Sequence, residues 1–289
     1  METVQRFSRR PPPKQEGSLR VSGCRSLPAV LQEAVKIGRQ IFMDAKIIPL
    51  TGDTAFSFDC SPAVPCFNEC CRDLNQALSP YDILRLKNRL GLSSWQFLKT
   101  HTVRHIGPET GLPVVSLRFD NRTNRQCPFV TPDGCQVYTD RPASCRLYPL
   151  ARGTSRNRLS GRTREHFALI QEPHCRGFCQ KTARTAHGWM RDQGLDPYNR
   201  FNDLFLEMIS LKNRLIPGPL ALEPESLFYT ALYDIDSFRD LISQKSFAER
   251  WGIDPVDLST LEADDSQLLR FAHACVKKFV FGGTRNRAG

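Results

Sequence analysis

The sequence predicts an α+β chain, mostly α-helical, in which an irregular cysteine-rich centre with short strands is flanked by N- and C-terminal helices. Three observations predict it. Apolar residues recur at three- and four-residue spacing towards both ends of the chain, the signature of amphipathic helices. Nine of the eleven cysteines (Cys60, Cys66, Cys70, Cys71, Cys127, Cys135, Cys145, Cys175 and Cys179) fall within residues 60–179, where Gly and Pro interrupt regular periodicity. Inside that stretch the run LPVVSLRF, between Leu112 and Asp120, has the β-branched content and length of a short strand.

Taken in order, residues 1–20 carry Pro11-Pro12-Pro13 and scattered charge without apolar periodicity, which predicts a disordered tail. Residues 21–55 form an N-terminal helical segment: Pro28 opens a helix whose apolar face is Val30, Leu31, Ala34, Val35, Ile37, Ile41 and Phe42. Residues 56–198 are the cysteine-cluster domain. Within it, Ser79-Pro80-Tyr81-Asp82 reads as an N-cap, a first-turn proline and a first-turn acid, and Ile83, Leu84, Leu86 and Leu90 continue the helix to Gly91. Ser93 and Gln96 have capping-box spacing ahead of Phe97 and Leu98, so a second helix follows and the two form a helical hairpin. Trp189 and Met190, then Phe201, Leu204, Phe205, Met208, Ile209 and Leu215, repeat at helical spacing, as do Leu268, Leu269, Ala272, Cys275, Val276 and Phe279. Residues 199–289 are therefore a C-terminal helical region.

With 289 residues, 40% of them apolar and 24% charged, the chain can bury a sizeable core. No run approaches the roughly 18 consecutive apolar residues of a membrane-crossing helix. The N-terminal METVQRFSRRPPPKQEG lacks the apolar stretch of a secretory signal. A cytoplasmic protein without a membrane contact is expected. The formal charge of +10 is unevenly placed: residues 118–164 hold ten Arg against three Asp, and residues 221–266 hold eleven acids against three bases. The Arg run over residues 151–164 has little aromatic interleaving, so a solvated basic loop is expected there and a nucleic-acid partner is not. The acidic stretch either covers the basic one within the molecule or binds another protein. No Gly-rich phosphate loop and no nucleophile elbow occurs.

A reducing cytosol keeps thiols unpaired, so so dense a cysteine pattern points to metal ligation or catalysis rather than to disulfides. Metal ligation also supplies order to loops that lack an apolar core. Cys60-Ser61-Pro62-Ala63-Val64-Pro65-Cys66 and Cys66-Phe67-Asn68-Glu69-Cys70-Cys71 place thiols where a turn can converge them, with Pro62 and Pro65 shaping it. The adjacent Cys70-Cys71 pair either feeds two nearby sites or ligates different atoms of one polynuclear centre. In the second cluster, Pro132-Asp133-Gly134 is a turn that returns Cys135 towards Cys127, with Cys145 and Cys175 downstream. Four metal-bound thiolates leave a net charge near −2, which needs cations or N–H donors beside it. Arg141 and Arg146 are the cofactor-contacting candidates, with Arg118 and Arg122 as further compensators.

Other side chains carry simpler readings. His101 and His105 at i, i+4 would share a helical face, but no third ligand stands with them, so a structural pair is expected. His174, beside Cys175, is a neighbouring support or alternative ligand. Asp82 is explained by the helix dipole. Tyr138 and Tyr148 are expected to pack over the second cluster, and Cys24 and Cys275 to be inert. Cys179 is left open between spare ligand, exchange partner and filler.

Several motifs together resemble the YkgJ-type cysteine-cluster family, described as a zinc- or iron-chelating CxxCxxCC domain and often labelled iron–sulfur-cluster-containing. They are Phe58-Asp59-Cys60, Cys66-Phe67-Asn68-Glu69-Cys70-Cys71-Arg72, Leu78-Ser79-Pro80-Tyr81-Asp82, Cys127-Pro128-Phe129, Gly134-Cys135-Gln136-Val137-Tyr138, Arg141-Pro142-Ala143-Ser144-Cys145-Arg146 and Cys175-Arg176-Gly177. The resemblance spans about residues 56–180. It implies a metal set of Cys60, Cys66, Cys70, Cys71, Cys127, Cys135, Cys145 and Cys175. One departure is that five residues separate Cys60 from Cys66 where the family commonly has two. The expectation is a metal-binding protein with an iron–sulfur centre, [4Fe–4S] favoured, in a redox or cluster-assisted role with a redox or protein partner. The alternatives are a structural zinc domain with a basic surface, and a protein-modifying enzyme, since a flagellin lysine N-methylase carries a similar cluster.

Overall fold

The structure, a computed structural model, describes residues 45–72, 74–156, 163–251, 261 and 264–282. The expected tail and the helix from Pro28 fall on residues outside these. The fold is mixed α+β and mostly helical, with small antiparallel sheets. No described helix is long and apolar enough to cross a membrane.

Helix α1 (Pro80–Leu90) starts and stops where its local chemistry dictates. Ser79 and Asp82 close a reciprocal capping box, and Gly91 ends the helix in the left-handed region at φ 65°. Helix α2 (Ser94–His101) begins with a second capping box between Ser93 and Gln96. The helical hairpin is thus formed as expected. The predicted strand is β5 (Pro113–Leu117), the centre of a three-stranded antiparallel sheet between β3 (Ala77–Leu78) and β4 (Thr102–Ile106).

Strand β4 corrects one expectation. The chain leaves α2 at His101 and turns extended at Thr102, so His101 and His105 share no helical face. Thr102 and Val103 are β-branched, and pairing with β5 outweighs one more helical turn. His101 instead packs between the Phe97 and Phe129 rings, at centroid distances of 5.4 and 5.3 Å.

A second sheet, with strands β1 (Lys46–Leu50), β9 (Thr163–Gln171) and β8 (Leu150–Arg156) in that order, corrects the basic-loop expectation at its two ends, residues 157–162 lying outside the described residues. Residues 151–156 and 163–164 are strand. The inward face of β8 carries Leu150 and then Arg152, whose side chain is only 8% exposed because Glu165 and Asp203 take its guanidinium at 2.7 and 2.8 Å. An arginine at an inward position breaks the alternation by which a strand is recognised. A two-stranded ladder of β2 (Ala55–Ser57) with β10 (Ala183–Thr185) completes the cysteine side.

The C-terminal part is helical: α4 (Ala186–Asp192), α5 (Asp196–Leu215), α6 (Leu222–Leu232), α7 (Ile235–Ile242), α8 (Lys245–Trp251) and α9 (Asp265–Val276), followed by a π-helical turn over Lys277–Phe281. Phe228, Phe238, Leu268, Leu269, Ala272 and Val276 are fully buried between α6, α7 and α9, continuous with Leu86, Phe97 and Val115 of the cysteine side. The acidic stretch turns inward at this junction. Lys87 of α1 lies 3.1 Å from both Asp236 and Asp265, Arg239 pairs with the same two carboxylates, and Asp236 accepts the Ser94 amide at 2.7 Å. Glu225 pairs with Arg104 of β4.

Candidate metal centre

The cup that carries the cysteines is assembled by backbone bonds between distant segments. Phe58 and Asp59 donate to the carbonyls of Thr182 and Gly177 at 3.0 and 3.1 Å, so the approach to Cys60 is laid along the turn that follows Cys175. Gly177 makes this contact possible, since a Cβ there would stand 2.5 Å from the Phe58 ring and 2.7 Å from the Asp59 carbonyl. Phe58 itself is held edge-on by Phe178, Trp189 and Tyr148 at 5.1, 5.4 and 6.1 Å.

From Ser61 the chain runs through successive tight turns, with Val64 donating to Ser61, Phe67 to Val64, Glu69 to Cys66 and Cys71 to Asn68. Asn68 adopts φ 67°, and its side-chain amide donates to the Thr131 carbonyl at 3.0 Å, tying the first loop to the second. Cys127 donates its amide to Cys71 O at 2.8 Å, next to an Arg72–Gln126 bridge. The second loop folds back as expected through β6 (Val130–Thr131) and β7 (Gly134–Cys135), with Gly134 at φ 123°. A short helix, α3 (Ala143–Leu147), presents Cys145, and Ala143 N–H donates to the buried Asp82 carboxylate at 2.8 Å. Asp82 therefore does more than complement a dipole: it joins α1 to the Cys145 helix. Burial pushes its carboxyl up against the pull of these donors.

The eight cysteines are free thiols; as whole residues Cys60 and Cys145 are exposed and the other six half-buried, while the Cys145 sulfur itself is shielded. Their charges would compete. Burial, and then the Cys70, Cys66 and Cys175 thiols, push Cys60 up to about 12. Burial, then Cys127, Asp82 and Cys135, push Cys145 up to about 12, opposed by Arg141. Cys70 is raised by its hydrogen bond to Cys71 and by burial. Against this, the Arg176 amide donates to the Cys66 sulfur at 3.1 Å, and nearby backbone amides oppose the rise at Cys127, Cys135 and Cys175. A thiophilic cation reverses the balance, because it replaces the protons and turns the crowding into ligation. Among the described residues no three His, Cys, Asp or Glu side chains already stand closed on a common point. The donor chemistry fits a soft or borderline metal: clustered thiols, amide donors aimed at them and an arginine beside them.

The arginines divide by task. Arg141 lies beside Cys135 and Cys145, its guanidinium 3.8 Å over the Tyr138 ring and bonded to the Tyr138 carbonyl and to Gln193. Arg146 directs its donors to the carbonyls of Arg141, Gln193 and Thr139 and faces the Tyr198 ring, which staples the loop that carries Cys145. Arg118 bonds the Thr102 carbonyl and Arg122 pairs with Asp120. Tyr138 is exposed, whereas the Tyr148 hydroxyl is buried beside Cys175 and Glu172. His174 Nε2, buried without a hydrogen-bond partner, stands 3.7 Å from Glu172 Oε2.

Two participants were not legible in the sequence. Glu172 is buried behind Cys70 and Cys175, and Gln76 accepts a long thiol contact from Cys145 at 3.8 Å while bonding Ser144. Neither has a spacing rule; the Glu172-Pro173-His174-Cys175 adjacency was the only available signal for the first. Cys275 is buried in the apolar face of α9 as expected. Cys179 is exposed and disulfide-bonded, which removes it from the ligand candidates, and Cys24 lies outside the described residues.

Residues 59–176 match the family model CxxCxxCC, "Putative zinc- or iron-chelating domain". The match opens one residue before Cys60 and closes one after Cys175. No curated protein and no solved structure matches the chain.

Proposed function

We propose, from the match of residues 59–176 to the CxxCxxCC zinc- or iron-chelating family model, that Cys60, Cys66, Cys70, Cys71, Cys127, Cys135, Cys145 and Cys175 ligate iron–sulfur metal, as one polynuclear centre or two close sites, with a redox or cluster-assisted role. The observation that carries this reading is the Arg176 amide, which donates to the Cys66 sulfur at 3.1 Å and so brings the loop of Cys175 against the first cysteine cluster. Such donors stabilise thiolate charge, and around an iron–sulfur centre they help set its reduction potential. Arg141 adds a positive charge on the Cys135 and Cys145 side. Tyr148 and Glu172 close the back of the cup, which limits solvent near Cys175. Such a centre would supply one-electron transfer; the protein would hold it and tune its charge.

The basic segment supports this reading over nucleic-acid binding, because Arg118, Arg141, Arg146 and Arg152 all bond protein groups. A structural zinc site is the second reading, favoured by the tight turn that pairs Gly134-Cys135 with Val130-Thr131. Anaerobic purification followed by absorption spectroscopy and assay of iron, zinc and acid-labile sulfide separates them. A brown protein with iron and sulfide in near-equal amounts, bleached on reduction, is expected. A colourless protein holding zinc overturns the redox role and leaves chelation as structural.

A further inference from the structure

We infer that the eight cysteines form two adjoining four-thiol sites whose membership crosses the sequence order: Cys60, Cys66, Cys70 and Cys175 in one, and Cys71, Cys127, Cys135 and Cys145 in the other. The inference rests on the metal reading above and deepens it. The sequence spacing leaves the division open, since the adjacent Cys70-Cys71 pair reads there either as feeding two nearby sites or as ligating one polynuclear centre.

The backbone crosses the sequence order twice. The segment entering the first loop is bonded to the segment after Cys175, through Phe58 N–H to Thr182 O, Asp59 N–H to Gly177 O and the β2–β10 ladder. The Arg176 amide, one residue past Cys175, donates directly to the Cys66 sulfur at 3.1 Å although 110 residues separate them. The approach to Cys60 thus lies along the turn after Cys175, with Cys66 bonded to that turn and Cys70 one tight turn further on. Cys71 belongs to the other side: its carbonyl accepts the Cys127 amide at 2.8 Å, and the next residue, Arg72, bridges Gln126. Cys135 lies opposite Val130 in the β6–β7 pair, and Cys145 feels the charges of Cys127 and Cys135, while Cys127 also feels Cys70 across the boundary between the sets.

The two sets meet at the adjacent residues Cys70 and Cys71. This answers the problem of adjacent cysteines, since one residue serves each site. It also places two anionic centres side by side, with the Arg176 amide on the first and Arg141 beside the second. No three of these thiols stand closed on a point among the described residues, so each set would have to gather by side-chain rotation around a divalent thiophilic ion such as zinc or cobalt.

Cobalt(II) titration of the metal-free, reduced full chain without added sulfide tests this through thiolate-to-metal charge transfer and tetrahedral ligand-field absorption. Two ions per chain are expected, each with a four-thiolate spectrum. The Cys60→Ser/Cys175→Ser double variant should lose one ion and half of the charge-transfer intensity, and Cys71→Ser/Cys135→Ser should lose the other. Loss of both ions in the first double variant, with circular dichroism unchanged, overturns the crossed division, because those residues would then belong to different sites. A measurement on the unmodified chain covers misfolded variants. With one equivalent of zinc, alkylation and mass spectrometry should find either crossed set protected; joint protection of Cys60, Cys66, Cys70 and Cys71 overturns the inference. No cobalt or zinc uptake by the parent chain refutes the metal reading itself, and the division with it.

Discussion

Helices α6, α7 and α9 bury Phe228, Phe238, Leu268 and Val276 completely, whereas the cysteine cup leaves all eight of its thiol-bearing residues at least partly open. The first region is ordered by apolar burial, which is proportional to area and indifferent to register. The second is ordered by directional bonds between short turns, which fix position but contribute little net stability each. The difference teaches that one chain can hold a rigid support and an adaptable ligand cup, provided that the cup is sewn to the support at a few points. Those points are Phe58 in its aromatic nest, Asp82 bonded to Ala143, and Lys87 between Asp236 and Asp265.

The comparison breaks most visibly in the helical core. Phe238→Ala removes a fully buried ring and should cost about 4 kcal/mol in urea unfolding, with metal content per folded molecule unchanged. A loss of metal at unaltered stability would show that the two regions are not separable. Lys87→Met comes next. It leaves Asp236 and Asp265 with less compensation at a junction where Lys87 is 7% exposed, and about 3 kcal/mol should be lost at neutral pH.

Acid should act on the support before it reaches the carboxylates of that junction. His273 of α9 is buried with both ring nitrogens unpartnered, and desolvation lowers its pKa from 6.5 to about 4. The folded state thus prefers the neutral ring. Stability is intact above about pH 6.5 and falls as pH drops towards 4, by roughly 3 kcal/mol at the lower end. Unfolding midpoints measured from pH 7 to 4 should show this slope, and His273→Phe should flatten it. The depressed carboxyls of Asp236 and Asp265 add their loss only below the ordinary carboxylate range.

The smallest effect on stability, and the sharpest on the cup, is expected from Gly177→Ala. The added methyl would meet Phe58 and the Asp59 carbonyl, costing about 2 kcal/mol and displacing the Cys60 approach from the Cys175 turn. Reduced metal affinity with helical circular dichroism retained is the expected result. Unchanged affinity would mean that the contact between these segments does not position the thiols.

Much of the scaffold was legible residue by residue. Ser79 with Asp82 and Ser93 with Gln96 announced the starts of α1 and α2, Gly91 the end of α1, and the β-branched run the central strand β5. The turn returning Cys135 was legible from Pro132-Asp133-Gly134. The β8–β9 hairpin was hidden because Arg152 occupies an inward position that only Asp203 and Glu165 make tolerable. The break after His101 was hidden because sheet pairing with β5 overrides a local helical register. Glu172 and Gln76 were hidden because their nearness to cysteines arises from chain segments that meet only on folding.

By itself the sequence determined caps, turns, apolar faces and the thiophilic character of the centre, because each is decided by interactions within a few residues. Tertiary structure decided which thiol faces which, how the acidic stretch is neutralised, and which arginines remain beside sulfur. Cys66 lies beside Arg176 because the aromatic nest and the β2–β10 ladder close that long loop. Such closure depends on packing summed over the whole core, which no local spacing encodes.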